Sequence, residues 1–166
     1  MDENEQLRVV VAYHEAGHAV AHRYMHHWFY WITIQSNPGD KSLGCVHTAP
    51  TAAELTEGFS TTLAARLKAE KEIVGLYGGE AATERLGVPA DWSIPEMQKA
   101  RQAAIRTTSN QAEADAFLDY LWLWTQNIIA DHRPAVQAVA NYLLEEGSMS
   151  AAMAHKVMRE AGMVRG

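Results

Sequence analysis

The sequence predicts a mainly α-helical domain with one small β-hairpin, and three observations predict it. Long runs with apolar residues at helical spacing lack interior proline, the first of them over residues 2–27. One short aromatic and β-branched run, followed by turn residues and a second short run, has the composition of two paired strands. Glycines stand inside the helical runs at Gly17, Gly75, Gly78 and Gly79. A mid-helix glycine costs about 1 kcal/mol relative to alanine, so its presence implies close approach of another backbone. The 166 residues suit one domain with a real core, and no repeat, low-complexity tract or linker divides them.

Each element has its own signal. Asp2, Glu3 and Glu5 place negative charge where a helix N-terminus favours it. The run through Val9, Val10, Val11, Ala12, Ala16, Ala19, Val20 and Ala21 then carries an apolar helix to about His27. Trp28-Phe29-Tyr30-Trp31-Ile32-Thr33-Ile34 reads as a strand, Asn37-Pro38-Gly39-Asp40 as a turn, and Leu43 to Thr48 as the returning strand, closed by Pro50. Thr51 to Ser60 is a polar connection. A second long helix runs from about Thr61 to Leu86, with Leu63, Leu67, Ile73, Val74 and Leu76 on its face. Gly87 to Pro95 is a loop. Within it Ser93 is an N-cap candidate, with Glu96 at capping-box spacing and Pro95 in the first turn. A third helix covers about Ile94 to Ser109. A fourth begins near Ala112 and carries Phe117, Leu118, Tyr120, Leu121, Trp122, Leu123, Trp124, Ile128 and Ile129, its aromatics read as core or interface. The fifth covers Pro134 to Glu146, and Ser148-Met149-Ser150 opens a short last helix through Met158.

The chemistry is concentrated in the first helix, where His14-Glu15-Ala16-Gly17-His18 forms an H-E-x-x-H pattern. Residues four apart on a helix differ by about 400° of rotation and about 6 Å of rise, so both imidazoles leave one face a turn apart. Two neutral imidazole nitrogens suit a zinc ion, which lowers the pKa of its water to about 7, and Glu15 lies close enough to take the proton. That combination is the machinery of a metallopeptidase. A helix with two surface histidines is the bland alternative, and the intervening acid and apolar flanks fit it poorly. His22 continues the stripe, but three histidines on successive turns spread over about 12 Å, too far for one ion, so His22 reads as packed behind the site. His26 and His27 cap the run.

Composition excludes several classes. Fourteen Lys and Arg against twenty Asp and Glu give a net charge of −6, with no basic block to bind nucleic acid or an anionic membrane. A single cysteine, Cys45, allows no intrachain disulfide and is compatible with a reducing compartment. No run of about 20 apolar residues and no signal peptide is seen, so a cytoplasmic location is expected.

With these residues in view, the sequence resembles the peptidase domain of the FtsH family of zinc proteases along nearly its whole length. Ala12-Tyr13-His14-Glu15-Ala16-Gly17-His18-Ala19-Val20 is similar to the family's A-x-H-E-A-G-H-A helix, the most specific of the matches. Ile32-Thr33-Ile34 with Leu43-Gly44 is similar to its T-I-x-P-R-G…L-G hairpin. Gly78-Gly79-Glu80-Ala81-Ala82-Thr83-Glu84-Arg85-Leu86 resembles G-G-R-x-A-E-E, and His132-Arg133 through Leu143-Leu144-Glu145 resembles a late R-x…L-L-E helix. The resemblance implies a helical zincin-type peptidase domain holding one zinc per chain. It also implies a third ligand, an acid at the start of a helix in a pattern like N-D-x-x-x-A-T. Glu96 takes that position, four residues before Ala100, with Asp91 on the preceding loop as the rival. Glutamate replaces the family's aspartate and Arg101 its threonine, so the helix bearing the longer acid is expected to sit further from the metal.

No Walker motif occurs, whereas the family joins its peptidase to an ATPase module. The resemblance therefore implies a free-standing peptidase domain over residues 1–166, an expectation that the acidic start at Met1 favours over an excised fragment. Such a domain cleaves unfolded or flexible protein segments, or segments fed to it by a separate ATPase or adaptor. The hairpin at Ile32, Thr33 and Ile34 is the expected substrate-binding edge, pairing with an extended peptide. Two rival readings remain: a degenerate zinc-binding adaptor, disfavoured by the intact Glu15, and another kind of zinc hydrolase. Cys45 and His47 on the returning strand have ligand chemistry but read as packed strand residues.

Overall fold

The computed structural model describes residues 2–35, 44–48, 58–86 and 94–164. The chain runs α1 (Glu3–Tyr24), β1 (Phe29–Thr33), β2 (Cys45–Thr48), α2 (Leu63–Thr83) with a 3-10 turn at Glu84–Leu86, and α3 (Ile94–Thr107). It continues through α4 (Gln111–Asp131), α5 (Arg133–Glu146), β3 (Ser148–Ser150) and α6 (Ala151–Glu160). The architecture is mainly helical, as the periodicity predicts. The Asn37–Asp40 turn, Leu43, the Ser93 cap and the rival ligand Asp91 lie outside the described residues.

The start of α1 is a capping box. The Glu5 N–H donates to Asp2 Oδ1 at 2.8 Å and the Asp2 N–H donates to Glu5 Oε2 at 3.1 Å, so the acidic start does more than oppose the helix dipole. The helix ends three residues before His27. His26 takes a left-handed conformation (φ 53°), and the His27 N–H donates to the His22 carbonyl at 2.8 Å. Glycine usually fills such a position, and histidine is among the few other residues found there.

α1 is the centre of the molecule. On one side Ala12, Ala16, Ala19 and Val20 pack with Phe29, Ile32, Val139, Leu143, Met149 and Met158. On the other, Ala21 and Met25 pack with Ile73, Val74, Tyr77, Ala104, Leu121 and Ile128. α1 and α2 meet backbone to backbone: a β-carbon added at Gly78 would lie 2.5 Å from the Gly17 carbonyl oxygen, and one added at Gly17 would run into Gly78 and Ala82. The aromatic run of α4 divides. Leu121 is buried and Trp122 meets Tyr77 edge to face at 5.4 Å, while Tyr120 and Leu123 face solvent. No described helix is long and apolar enough to cross a membrane.

The sheet differs from the expected hairpin. Ser148-Met149-Ser150 does not open the last helix but forms β3, antiparallel to β1 with Ile32 opposite Met149. Only Ser150 belongs to the helix start, where its hydroxyl accepts from the Met153 N–H at 3.3 Å. The strand arises because Gly147, at φ 79°, ends α5 and turns the chain back alongside β1. The order is β2-β1-β3, with a bulge in β1 between Phe29 and Trp31.

That order corrects the expected substrate edge at Ile32, Thr33 and Ile34. β1 is the central strand, with β2 on one side and β3 on the other, and the Ile34 N–H already donates to the Gly147 carbonyl at 2.9 Å. Ile32 is fully buried. Ile32 and Thr33 are paired on both sides, so no sheet edge is open at these residues.

Candidate metal centre

The helix geometry of α1 does what its spacing predicts. His14 and His18 stand one turn apart with ring centroids 4.6 Å apart, edge to face, and their Nε2 atoms approach to 3.0 Å. The third group comes from a distant part of the chain. Glu96, in the first turn of α3, places Oε1 3.0 Å from His18 Nε2 and 3.4 Å from His14 Nε2, with Oε2 3.3 Å from His14 Nε2. One ligand atom from each residue lies within 4.8 Å of the others, and no other cluster of three such side chains occurs among the described residues. Of the two acids weighed from the sequence, Glu96 is thus brought to the histidines.

The surroundings of the trio are built by glycine. A β-carbon at Gly79 would lie 2.5 Å from His14 Cε1 and 2.6 Å from His18 Nε2, so both imidazoles occupy space that only glycine leaves on α2. One turn earlier, His18 Nδ1 lies 2.8 Å from the Gly75 carbonyl oxygen. A carbonyl only accepts, so the ring N–H of neutral His18 is at Nδ1 and the lone pair at Nε2 points toward the other two groups. This is the arrangement that orients a metal-binding histidine. In the sequence these glycines imply helix packing alone; their part in the site shows only in their spacing, Gly75 and Gly79 four apart on one face.

The electrostatics follow from burial. His14, Glu15 and His18 are all more than nine-tenths buried. Burial alone disfavours a charged His18, but the Glu96 carboxylate beside it, helped by Glu15 and the Gly75 carbonyl, pushes its pKa up to about 9. Burial also favours a neutral Glu96, yet the imidazoles of His18 and His14 hold its carboxyl well below the usual carboxylate range. Glu15 goes the other way: burial raises its pKa, against the opposing pull of His18 and His14. Gly44, at the entry to β2, packs on this acid, where a β-carbon would lie 2.8 Å from Glu15 Oε1.

The other candidates lie elsewhere. His22 is buried against Gly75 and meets His27 edge to face at 4.7 Å, apart from the trio. His47 lies against Trp31 in a tilted ring contact at 4.2 Å, and neither it nor Cys45 joins the cluster.

Two imidazoles and one carboxylate converging in a buried site form the donor set of a catalytic zinc with three protein ligands. Glu96 Oε2 lies 3.3 Å from His14 Nε2 and is buried without a hydrogen bond, as suits a carboxylate oxygen facing a cation site. The residues present therefore fit a zinc ion. No family model matches the sequence, and no curated protein matches it either.

Proposed function

We propose that this chain is a zinc-dependent endopeptidase that hydrolyses peptide bonds in unfolded or flexible proteins. The observation that carries the proposal is the convergence of His14, His18 and Glu96 within 4.8 Å beside the buried acid Glu15. In this reading the domain is of the helical zincin type that its resemblance to the FtsH peptidase implies, acting in the cytoplasm on segments exposed in solution or delivered by a separate ATPase or adaptor.

His14, His18 and Glu96 are the residues that would hold the zinc. When bound, zinc supplies a Lewis acid that makes water acidic near neutral pH and polarises a carbonyl. Glu15 takes the proton of the attacking water onto its carboxylate and passes it to the leaving amine nitrogen. Its raised pKa supports this role, since a more basic carboxylate takes a proton more readily near neutral pH. The Gly75 carbonyl keeps His18 in the tautomer that presents Nε2.

The test is cleavage of a permanently unfolded protein by the zinc-loaded chain without ATP. Cleavage lost on chelation and restored by added zinc is expected; cleavage indifferent to a chelator would remove the metal from the chemistry.

A further inference from the structure

We infer that His22 is a positioning residue of the metal centre: its ring holds α2 at the height from which the Gly75 carbonyl grips His18. The role rests on His14, His18 and Glu96 binding a metal and does not require peptidase activity.

Three contacts carry it. The Gly75 carbonyl oxygen sits 2.8 Å from His18 Nδ1 and is the group that orients that ring. The His22 ring fills the space a side chain on Gly75 would take, with Nδ1 only 2.6 Å and Nε2 3.1 Å from where a β-carbon would stand. Behind it, the His27 ring backs His22 edge to face at 4.7 Å and 78°. The ring is thus a spacer wedged between the end of α1 and the turn of α2 that holds His18. It acts by its shape. His22 is 7% exposed and its Nδ1 makes no hydrogen bond, so that nitrogen contributes nothing to the contact. Nor does it ligate, since the metal cluster contains His14, His18 and Glu96 alone.

A backbone carbonyl that orients a metal-binding histidine typically changes metal affinity by about 10–100-fold when it is displaced. Removal of the spacer lets α2 settle toward α1 and shifts that carbonyl. A flat ring of similar volume keeps it in place.

Cobalt(II) in place of zinc tests this, because its visible absorption reports ligand geometry as well as affinity. The proteins compared are the full chain, His22→Ala, His22→Phe, Gly75→Ala, the double variant Gly75→Ala/His22→Ala, and Glu96→Ala as control. The full chain is expected to bind one cobalt, and His22→Ala to bind about 10–100-fold more weakly with an altered spectrum. His22→Phe restores the spectrum and comes within about threefold of the native affinity. Gly75→Ala weakens binding by pushing its methyl into the ring, and removal of that ring in the double variant recovers part of the loss. If His22→Ala does not fold, the phenylalanine variant and the Gly75 pair carry the comparison.

Native affinity in His22→Ala overturns the positioning role. So does a phenylalanine variant that binds cobalt ten times or more below native, or a second cobalt that disappears with His22, since either makes the nitrogen the working group. Glu96→Ala that binds like the native chain sinks the metal centre itself. Tight, Glu96-dependent binding that ignores His22 sinks the positioning role alone.

Discussion

Gly79 is the residue on which the proposed centre turns. Its missing side chain is the volume into which His14 and His18 project, with His14 Cε1 and His18 Nε2 each within 2.6 Å of where a methyl would be. Gly79→Ala is therefore expected to lower zinc affinity at least about tenfold by rotating one or both imidazoles, while α2 gains helix propensity. Competition against a zinc-sensitive dye measures this, and native affinity in the variant would show that the rings have room to move. At this scale the sequence was legible where chemistry is local. His14, Glu15 and His18 announce themselves by spacing within five residues. Glu96 does not: it lies 78 residues from His18, and only the resemblance pointed to it. Gly79 and Gly75 were visible as odd residues in a helix, but nothing in the chain says whether the neighbour filling a glycine's space is a backbone or an imidazole.

At the scale of elements, the α1–α2 contact fixes the site, because α2 provides both the Gly79 recess and the Gly75 carbonyl. The Gly17–Gly78 crossing brings two backbones closer than any side chain allows. Gly78→Leu is expected to cost about 1–3 kcal/mol or more, since an inserted side chain must force the helices apart. Chemical denaturation measures the loss, and a change below about 0.5 kcal/mol would mean that the crossing is looser than the structure has it. Helix starts were legible where acidic residues or proline mark the first turn, as with Asp2, Glu3 and Glu5 in α1 and Pro134 in α5. β3 was not. Three residues are too few for a period, two of them are serines, and the strand exists because β1 lies alongside to pair with it. Without β3, Ile32 to Ile34 reads as an open edge; with it, β1 is the central strand.

Across the whole molecule, the proposed metal joins the N-terminal helix to α3 through ligands on each. Zinc that binds the folded chain and not the unfolded one stabilises it by RT ln(1 + [Zn]/Kd), about 2.7 kcal/mol when free zinc is a hundred times Kd. Scanning calorimetry of the chain is therefore expected to show a melting temperature that rises with zinc and falls back with a chelator. In Glu96→Ala most of that rise disappears, because the bridge to α3 is cut; an equal rise in both proteins would place the metal elsewhere. The mainly helical class was legible at this scale because each long amphipathic run must bury a face, and here most of those faces meet around α1.

The most direct measurement compares the zinc-loaded chain with zinc-loaded Glu15→Gln on one unfolded protein substrate. The replacement keeps the size of the side chain and removes its ability to take a proton. A proton-transfer group contributes about 10²–10⁴-fold, so cleavage by the native chain falls by that factor while both proteins hold one zinc. Equal cleavage by both would contradict the account, and so would a native chain that binds zinc and cleaves nothing. The second result would leave a zinc-binding adaptor in place of an enzyme.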